Sequence, residues 1–220
     1  MDIEILYKDR DLIICRKPAG VPSQPDPSGQ ESLLSALSAE YKSVSLVHRL
    51  DTPTGGAMVF ALSKKAAAGL GALVQDHERF VKEYLAVIPE APAEESGELR
   101  DFLYHDKRVN KAFVVDGARK GSKEAVLTYR VLATLENGRA LVLVRLYTGR
   151  THQIRVQFAS RVLPLIGDGK YGSREKCPNI ALWAYRLSFP HPVNGKDVSA
   201  EALPPLDILP WSEFAEVLKG

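Results

Sequence analysis

Cysteine, methionine and tryptophan each occur only twice in this 220-residue chain. Cys15 and Cys177 stand too far apart for a disulfide framework or the paired spacing of a zinc site, which fits a reducing, intracellular setting and makes the cytoplasm the expected location. Cys15 follows the apolar run Leu12–Ile14, where a buried, inert thiol is expected. No apolar run reaches the length of a signal or membrane-spanning segment, and the opening M-D-I-E-I-L-Y-K-D-R mixes acids with bases. An excess of one charge is also lacking: 29 basic and 27 acidic residues leave a net +2, so any surface for a polyanion must be local. The five histidines show no i,i+4 pair, so no bound metal is expected. G-x-S-x-G, Walker A and H-E-x-x-H are all absent. Gly167–Gly172 fits G-x-G-x-x-G, but Ser173–Pro178 is polar and stopped by proline. No helix opens there to receive a pyrophosphate.

What is present reads mainly as strands. Ile3–Tyr7 and Leu12–Arg16 form a hairpin over the polar turn Lys8–Asp11, and Lys17-Pro18-Ala19-Gly20 breaks the pattern. Leu33, Leu34, Leu37 and Tyr41 have helical spacing. Ala57–Leu62 is a buried strand, followed by a helix capped by Ser63 that ends near His77. Phe80–Ile88 is a strand with Lys82, Tyr84, Ala86 and Ile88 on one side. Glu124–Leu135 and Arg139–Leu146 are strands joined by Asn137-Gly138, a strong hairpin signal. Thr151 is the expected N-cap of a helix through Ser160. Leu182–Phe189 is a strand, then come a proline-rich link and a short helix near Trp211–Leu218. Strands that do not alternate regularly with helices imply an α+β fold, a mostly antiparallel mixed β-sheet core with a few flanking helices, in one domain spanning 1–220. Between Arg100 and Lys123 bases outnumber acids and alternate with Phe102, Tyr104 and Phe113. This is either a solvated hairpin or a grip on a nucleic-acid backbone, with Lys107, Arg108 and Lys111 as the candidate contacts.

The stretch H-R-L-D-T-P-T-G-G, His48–Gly56, carries the chemistry. It places Asp51 after an apolar lead-in and before a Thr-Pro turn, the position in which a turn presents a side chain that a sheet holds fixed. Asp is also a common turn residue, so the stretch alone leaves a capping role open. H-R-L-D followed by T-x-G-G resembles the signature of the RluA-type RNA pseudouridine synthases, usually H-R-L-D-x-x-T-S-G. Five further stretches keep the same family order: Ile5–Gly20, K-E-Y-L-A at Lys82–Ala86, Y-T-G-R-T-H-Q-I-R-V (Tyr147–Val156), P-L-I-G-D-G-K-Y-G (Pro164–Gly172) and L-S-F-P-H-P at Leu187–Pro192.

That resemblance implies the pseudouridine synthase fold and a cofactor-free isomerisation in RNA. The uridine C1′–N1 bond breaks, the uracil turns in the pocket and is rejoined through C5. Asp51 would be the catalytic residue, acting as nucleophile or as the base that permits a glycal intermediate. Arg155 would pair with it, keeping a desolvated carboxylate ionised. Tyr84 would stack on the uracil and assist proton transfer. Arg49 would fill the space left by the flipped base, with His48, Thr54, Lys82, Thr151, His152 and Gln153 lining the substrate. The family's accessory S4-type RNA-binding domain is expected to be absent, so a monomeric catalytic domain would itself grip an RNA stem-loop, ribosomal or transfer, with no membrane partner. Gly55, Gln157 and Trp183 depart from the usual Ser, His and His, which bears on RNA specificity. Two rivals are a non-catalytic RNA-binding or RNA-chaperone module on the same scaffold and a glycosidase that releases uracil.

Overall fold

The computed structural model describes residues 1–220 and divides them into two compact units, one of residues 1–83 with 183–204 and one of residues 84–182 with 205–220. Strands dominate both, which gives the α+β class read from the sequence.

In the first unit β1 (Ile5–Lys8) and β2 (Leu12–Lys17) form the expected antiparallel hairpin. A two-residue strand β3 (Ser45–Leu46) and then β4 (Gly55–Ala61) follow, β4 pairing antiparallel with β2. Every residue of β4 is buried, in keeping with its uninterrupted apolar sequence. Two helices flank these strands. For α1 (Leu33–Glu40), the Ser32 side chain accepts the Ser35 N–H; for α2 (Lys64–Leu73), Ser63 does the same for Ala66, satisfying N–H groups that a helix start leaves unpaired. Helix α2 ends at Leu73 rather than near His77, because the N–H groups of Gln75 and Asp76 turn into tighter bonds to Ala72 and Leu73.

β5 (Val81–Ile88) continues from the first unit into the second. Beyond it the second unit is built of antiparallel strands, β6 (Ser96–Asp106), β7 (Lys111–Val115), β8 (Ser122–Thr134) and β9 (Ala140–Leu146), with spatial order β5-β9-β8-β6-β7, so that β6 pairs with β7 on one edge and β8 on the other. Gly138 supplies the φ of +87° that the β8–β9 turn requires. Helix α3 (Gln153–Ala159) is buried from Gln153 through Phe158.

Two expectations are corrected. Thr151 is not the N-cap of α3. His152 holds that position in the left-handed region (φ +53°), with no side-chain capping bond, because the Gln153 side chain organises this turn instead. And the link after β10 (Leu182–Pro190), read as irregular, contains β11 (Asp197–Glu201), which closes a hairpin on β10 in the first unit. Val198 and Ala200 point inward and their neighbours outward, a period-2 signal obscured by the prolines around it. The chain finishes with a single 3-10 turn at Trp211–Phe214 and α4 (Ala215–Lys219).

The end of α3 carries visible strain. Leu163 N–H bonds to Phe158 C=O and Val162 N–H to Ala159 C=O, a Schellman pattern whose left-handed position calls for glycine. Val162 occupies it at φ +63° with 85% of its surface exposed. A β-branched residue there is strained and gains nothing from burial. Val162→Gly should therefore stabilise the protein by about 1 kcal/mol, read as a higher urea midpoint at unchanged slope. No change, or a loss, would mean that the αL strain at Val162 is compensated.

Candidate active site

In the first unit Asp51 lies half-buried on a turn closed by Thr54 N–H to Asp51 C=O at 2.9 Å. Thr54 is 2% exposed, and its hydroxyl is buried with no hydrogen-bond partner. The main chain on both sides of Asp51 is tied to the segment that follows β2. Ser23 Oγ donates to Leu50 C=O at 2.8 Å and accepts Leu50 N–H at 3.1 Å. Gly20 N–H reaches Thr52 C=O at 2.8 Å. Lys17, fully buried, donates from Nζ to the carbonyls of Pro18 (3.0 Å), Val21 (2.5 Å) and Thr52 (3.1 Å). Burial pushes the Lys17 ammonium down to about 7, while the Asp51 charge pulls the other way. Sequence reasoning passed over Lys17 and Ser23. The available signal was a lysine ending a strand whose preceding residues Leu12–Cys15 are all apolar.

His48 Nε2 accepts the Val59 N–H at 3.3 Å, and its ring meets Phe80 edge-on at 6.0 Å. Burial, aided by the Lys82 charge, pushes this imidazole down to about 3, so it is neutral at physiological pH. Lys82 Nζ lies 3.4 Å from His77 Nδ1, and desolvation pushes Lys82 down to about 8. Arg49 is exposed.

In the second unit Tyr84 is 7% exposed on β5, and Arg155 is 5% exposed on α3. Arg155 grips Asp168 with both arms of a fork, Nε to Oδ2 at 2.7 Å and Nη2 to Oδ1 at 2.8 Å. Asp168 is 1% exposed, so the pair is desolvated and its bidentate geometry fixes the guanidinium plane. The Tyr171 ring lies 5.2 Å from the Arg155 guanidinium, while its hydroxyl accepts the Ala112 N–H at 2.8 Å and meets His152 Nδ1 at 2.9 Å. His152 and Tyr171 thus orient each other. The Gln153 side chain accepts from Thr148 Oγ1 and the Arg150 N–H and donates to Val126 C=O; Thr151 is partly exposed beside it. Asp168 lies in the Pro164–Gly172 stretch, but nothing in the spacing assigned it a role.

The basic stretch is less positive than its composition. Arg108 pairs with Asp106 at 2.9 Å, and Arg100 lies between Glu98 (3.0 Å) and Glu124 (2.7 Å). Lys107 is exposed at the β6–β7 turn, and Lys111 Nζ sits 5.7 Å from the Phe113 ring and 5.2 Å from that of Tyr171.

The three departures from the family pattern are buried. A Cβ on Gly55 would stand 2.2 Å from the Trp183 ring, so the two positions are sterically linked. Trp183 in turn donates from Nε1 to Ala202 C=O at 2.8 Å. Gln157, fully buried, donates to Asp101 at 2.7 Å and Leu99 C=O at 3.1 Å. These contacts place all three in packing.

Asp9, Asp11 and His191 bring ligand-type atoms within 4.8 Å of one another, a cluster the spacing of the sequence did not reveal. It fits a cation poorly. Asp9 Oδ1 accepts the Asp11 and Leu12 N–H groups, and Asp11 Oδ1 accepts the Ser63 hydroxyl. His191 Nδ1 accepts the N–H groups of Val193 and Asn194, which leaves the ring proton on Nε2, the atom 3.0 Å from Asp9. A protonated nitrogen offers no lone pair to a metal.

Residues 11–160 match the family described as RNA pseudouridylate synthase. The ribosomal large subunit pseudouridine synthase D of Zymomonas mobilis is 31% identical over 94% of this chain and 70% of its own. The dual-specificity RNA pseudouridine synthase RluA of Haemophilus influenzae is 30% identical over 91% of this chain and 92% of its own. Among solved structures, human RNA pseudouridylate synthase domain containing 1 superimposes with a TM-score of 0.79 at 25% identity, covering 93% of this chain and 84% of that one. No helix is long and apolar enough to cross a membrane.

Two outcomes follow from the local geometry. Gly55→Ser should destabilise by about 1–3 kcal/mol through overpacking, and in a double-mutant cycle with Trp183→His the pair should be less harmful than the sum of the singles by about 1 kcal/mol or more. Additive losses would show that the two sites do not interact. His48, neutral when folded and protonated when unfolded, makes the unfolded state the stronger proton binder between its ordinary 6.5 and about 3, so stability falls as pH drops through that window. His48→Gln should flatten the loss between pH 6.5 and the carboxylate range, measured by urea unfolding at stepped pH.

Proposed function

The chain belongs to the RNA pseudouridylate synthase family, and we propose that it converts uridine to pseudouridine in RNA with Asp51 as the reactive carboxylate, Arg155 as its counter-charge and Tyr84 as the residue facing the uracil. The observation that carries this reading is the turn at Asp51, whose flanking peptides are held by side-chain and main-chain bonds, so that the carboxylate is presented from a fixed backbone. The Arg155–Asp168 fork supports the second assignment. A guanidinium locked by one carboxylate keeps its remaining N–H donors in a fixed direction and stays charged in a dry environment, as a partner for a reacting anion must. Tyr84 shares the inward side of β5 with Lys82, a half-apolar wall against which a flipped base can stack.

The substrate is RNA in which the target nucleotide is turned out of its stack. A stem-loop suits the exposed β6–β7 turn, where Lys107 and Lys111 offer charge and Phe113, 41% exposed, offers a stacking surface. Ribosomal RNA is the first candidate, supported by relatives such as the Zymomonas mobilis enzyme. The catalytic domain acts as a monomer.

Asp51→Asn should abolish pseudouridine formation on total RNA from a strain lacking the protein while leaving folding and RNA affinity nearly unchanged; turnover retained in the purified variant would remove Asp51 from the chemistry. Arg155→Ala should be nearly inactive, because the reacting carboxylate loses its counter-charge. Asp168→Asn should be impaired as well, because Arg155 loses its anchor. Neutralising Lys107 and Lys111 should weaken binding across RNA sequences and lessen its salt dependence. An unchanged salt slope would exclude this turn as an RNA grip.

A further inference from the structure

Lys17 has a full set of partners that packing alone does not require. Its three ammonium N–H donors meet three backbone carbonyls, those of Pro18, Val21 and Thr52. A lysine needed only for its aliphatic stem would send its charge to water, yet this one is fully buried. Two of its acceptors lie in the segment after β2 and the third is the carbonyl immediately after Asp51. Ser23, 4% exposed, completes the arrangement from the other side by taking both the donor and the acceptor of Leu50, the residue immediately before Asp51.

Resting on the assignment of Asp51 above, we propose that Lys17–Ser23 is a positioning brace: Ser23 fixes the peptide before the reactive carboxylate, and Lys17 and Gly20 fix the carbonyl of Thr52, the residue after it. Neither residue touches the substrate. Asp51 is the charged group that acts on Lys17; its other polar neighbours are carbonyls.

The brace differs from ordinary structural support in its pH dependence. Lys17 is charged below about 7 and neutral above it. A neutral amine has two N–H donors for three carbonyls and no charge for Asp51, so the chemical rate should fall as pH rises through that value. Global stability should move the opposite way. In the window from about 7 up to 10.5 the unfolded lysine binds more protons than the folded one, so folding becomes more favourable with rising pH. A residue that merely stabilises the fold would move both together.

The experiment measures single-turnover rates on total RNA at saturating concentration, RNA affinity and urea stability, from pH 6 to 9, for the wild type, Asp51→Asn, Ser23→Ala and Lys17→Met. Expected are an inactive Asp51→Asn; a folded Ser23→Ala with near-normal affinity and a saturated rate lowered roughly tenfold or more, the scale of a misplaced reacting group; and a slow Lys17→Met whose rate no longer declines above neutrality. Activity in Asp51→Asn would remove the underlying assignment. An inactive Asp51→Asn beside a wild-type rate in Ser23→Ala would leave that assignment standing and overturn the brace. So would rate losses that follow only the folded fraction or the RNA affinity. Should Lys17→Met not fold, Ser23→Ala and the opposed wild-type pH profiles decide the matter.

Discussion

Burying a positive charge is expensive, and three cations of the candidate site meet that cost in different ways. An ammonium or guanidinium taken out of water must find compensation of several kcal/mol or lose its proton. Arg155 is compensated by a carboxylate in bidentate geometry. Lys17 is compensated by carbonyl dipoles. Lys82 has only an imidazole nitrogen at 3.4 Å and an aromatic face, and desolvation pushes it down to about 8. The three solutions give three kinds of cation: one permanently charged, one charged under neutral and acidic conditions, and one near its titration point in mildly alkaline solution.

Polar side chains buried nearby are constrained in the same way. Gln153 divides its amide between a hydroxyl, an N–H and a carbonyl, while Gln157 donates to a carboxylate and to a main-chain carbonyl. Such side chains cannot be replaced by isosteres that lack one of these groups without leaving a partner unsatisfied. This explains how a family signature is dense in polar residues while few of them need face a substrate: much of the polarity closes the backbone of the turns that present the rest.

The elements set by local rules were legible in the sequence. Ser63 caps α2, Asn137-Gly138 turns β8 into β9, and Cys15 is fully buried with its thiol pushed up to about 12. The readings that failed depended on particular side-chain and strand contacts that composition and periodicity do not display. Thr151 had the composition of a cap, but the Gln153 side chain reaching Thr148 and Arg150 decided the turn. β11 was hidden by the prolines around it and exists because β10 offers it an edge. Asp168 and Arg155 are thirteen positions apart, and nothing in helical or strand periodicity announces that they meet. The proposed brace on Asp51 was likewise out of reach, because Lys17 and Thr52 are separated by 35 positions and the acceptor of the Lys17 side chain is a main-chain carbonyl, which carries no residue-type signature.

The contact between Gly55 and the Trp183 ring makes the two positions a single steric variable. With a Cβ at position 55 the indole has no room where it stands, the added atom falling 2.2 Å from the ring. A larger side chain at 55 therefore calls for something smaller than an indole at 183, whereas glycine at 55 accepts either. The indole N–H is bonded to Ala202 C=O, so a change at position 55 is felt at the residue that follows β11.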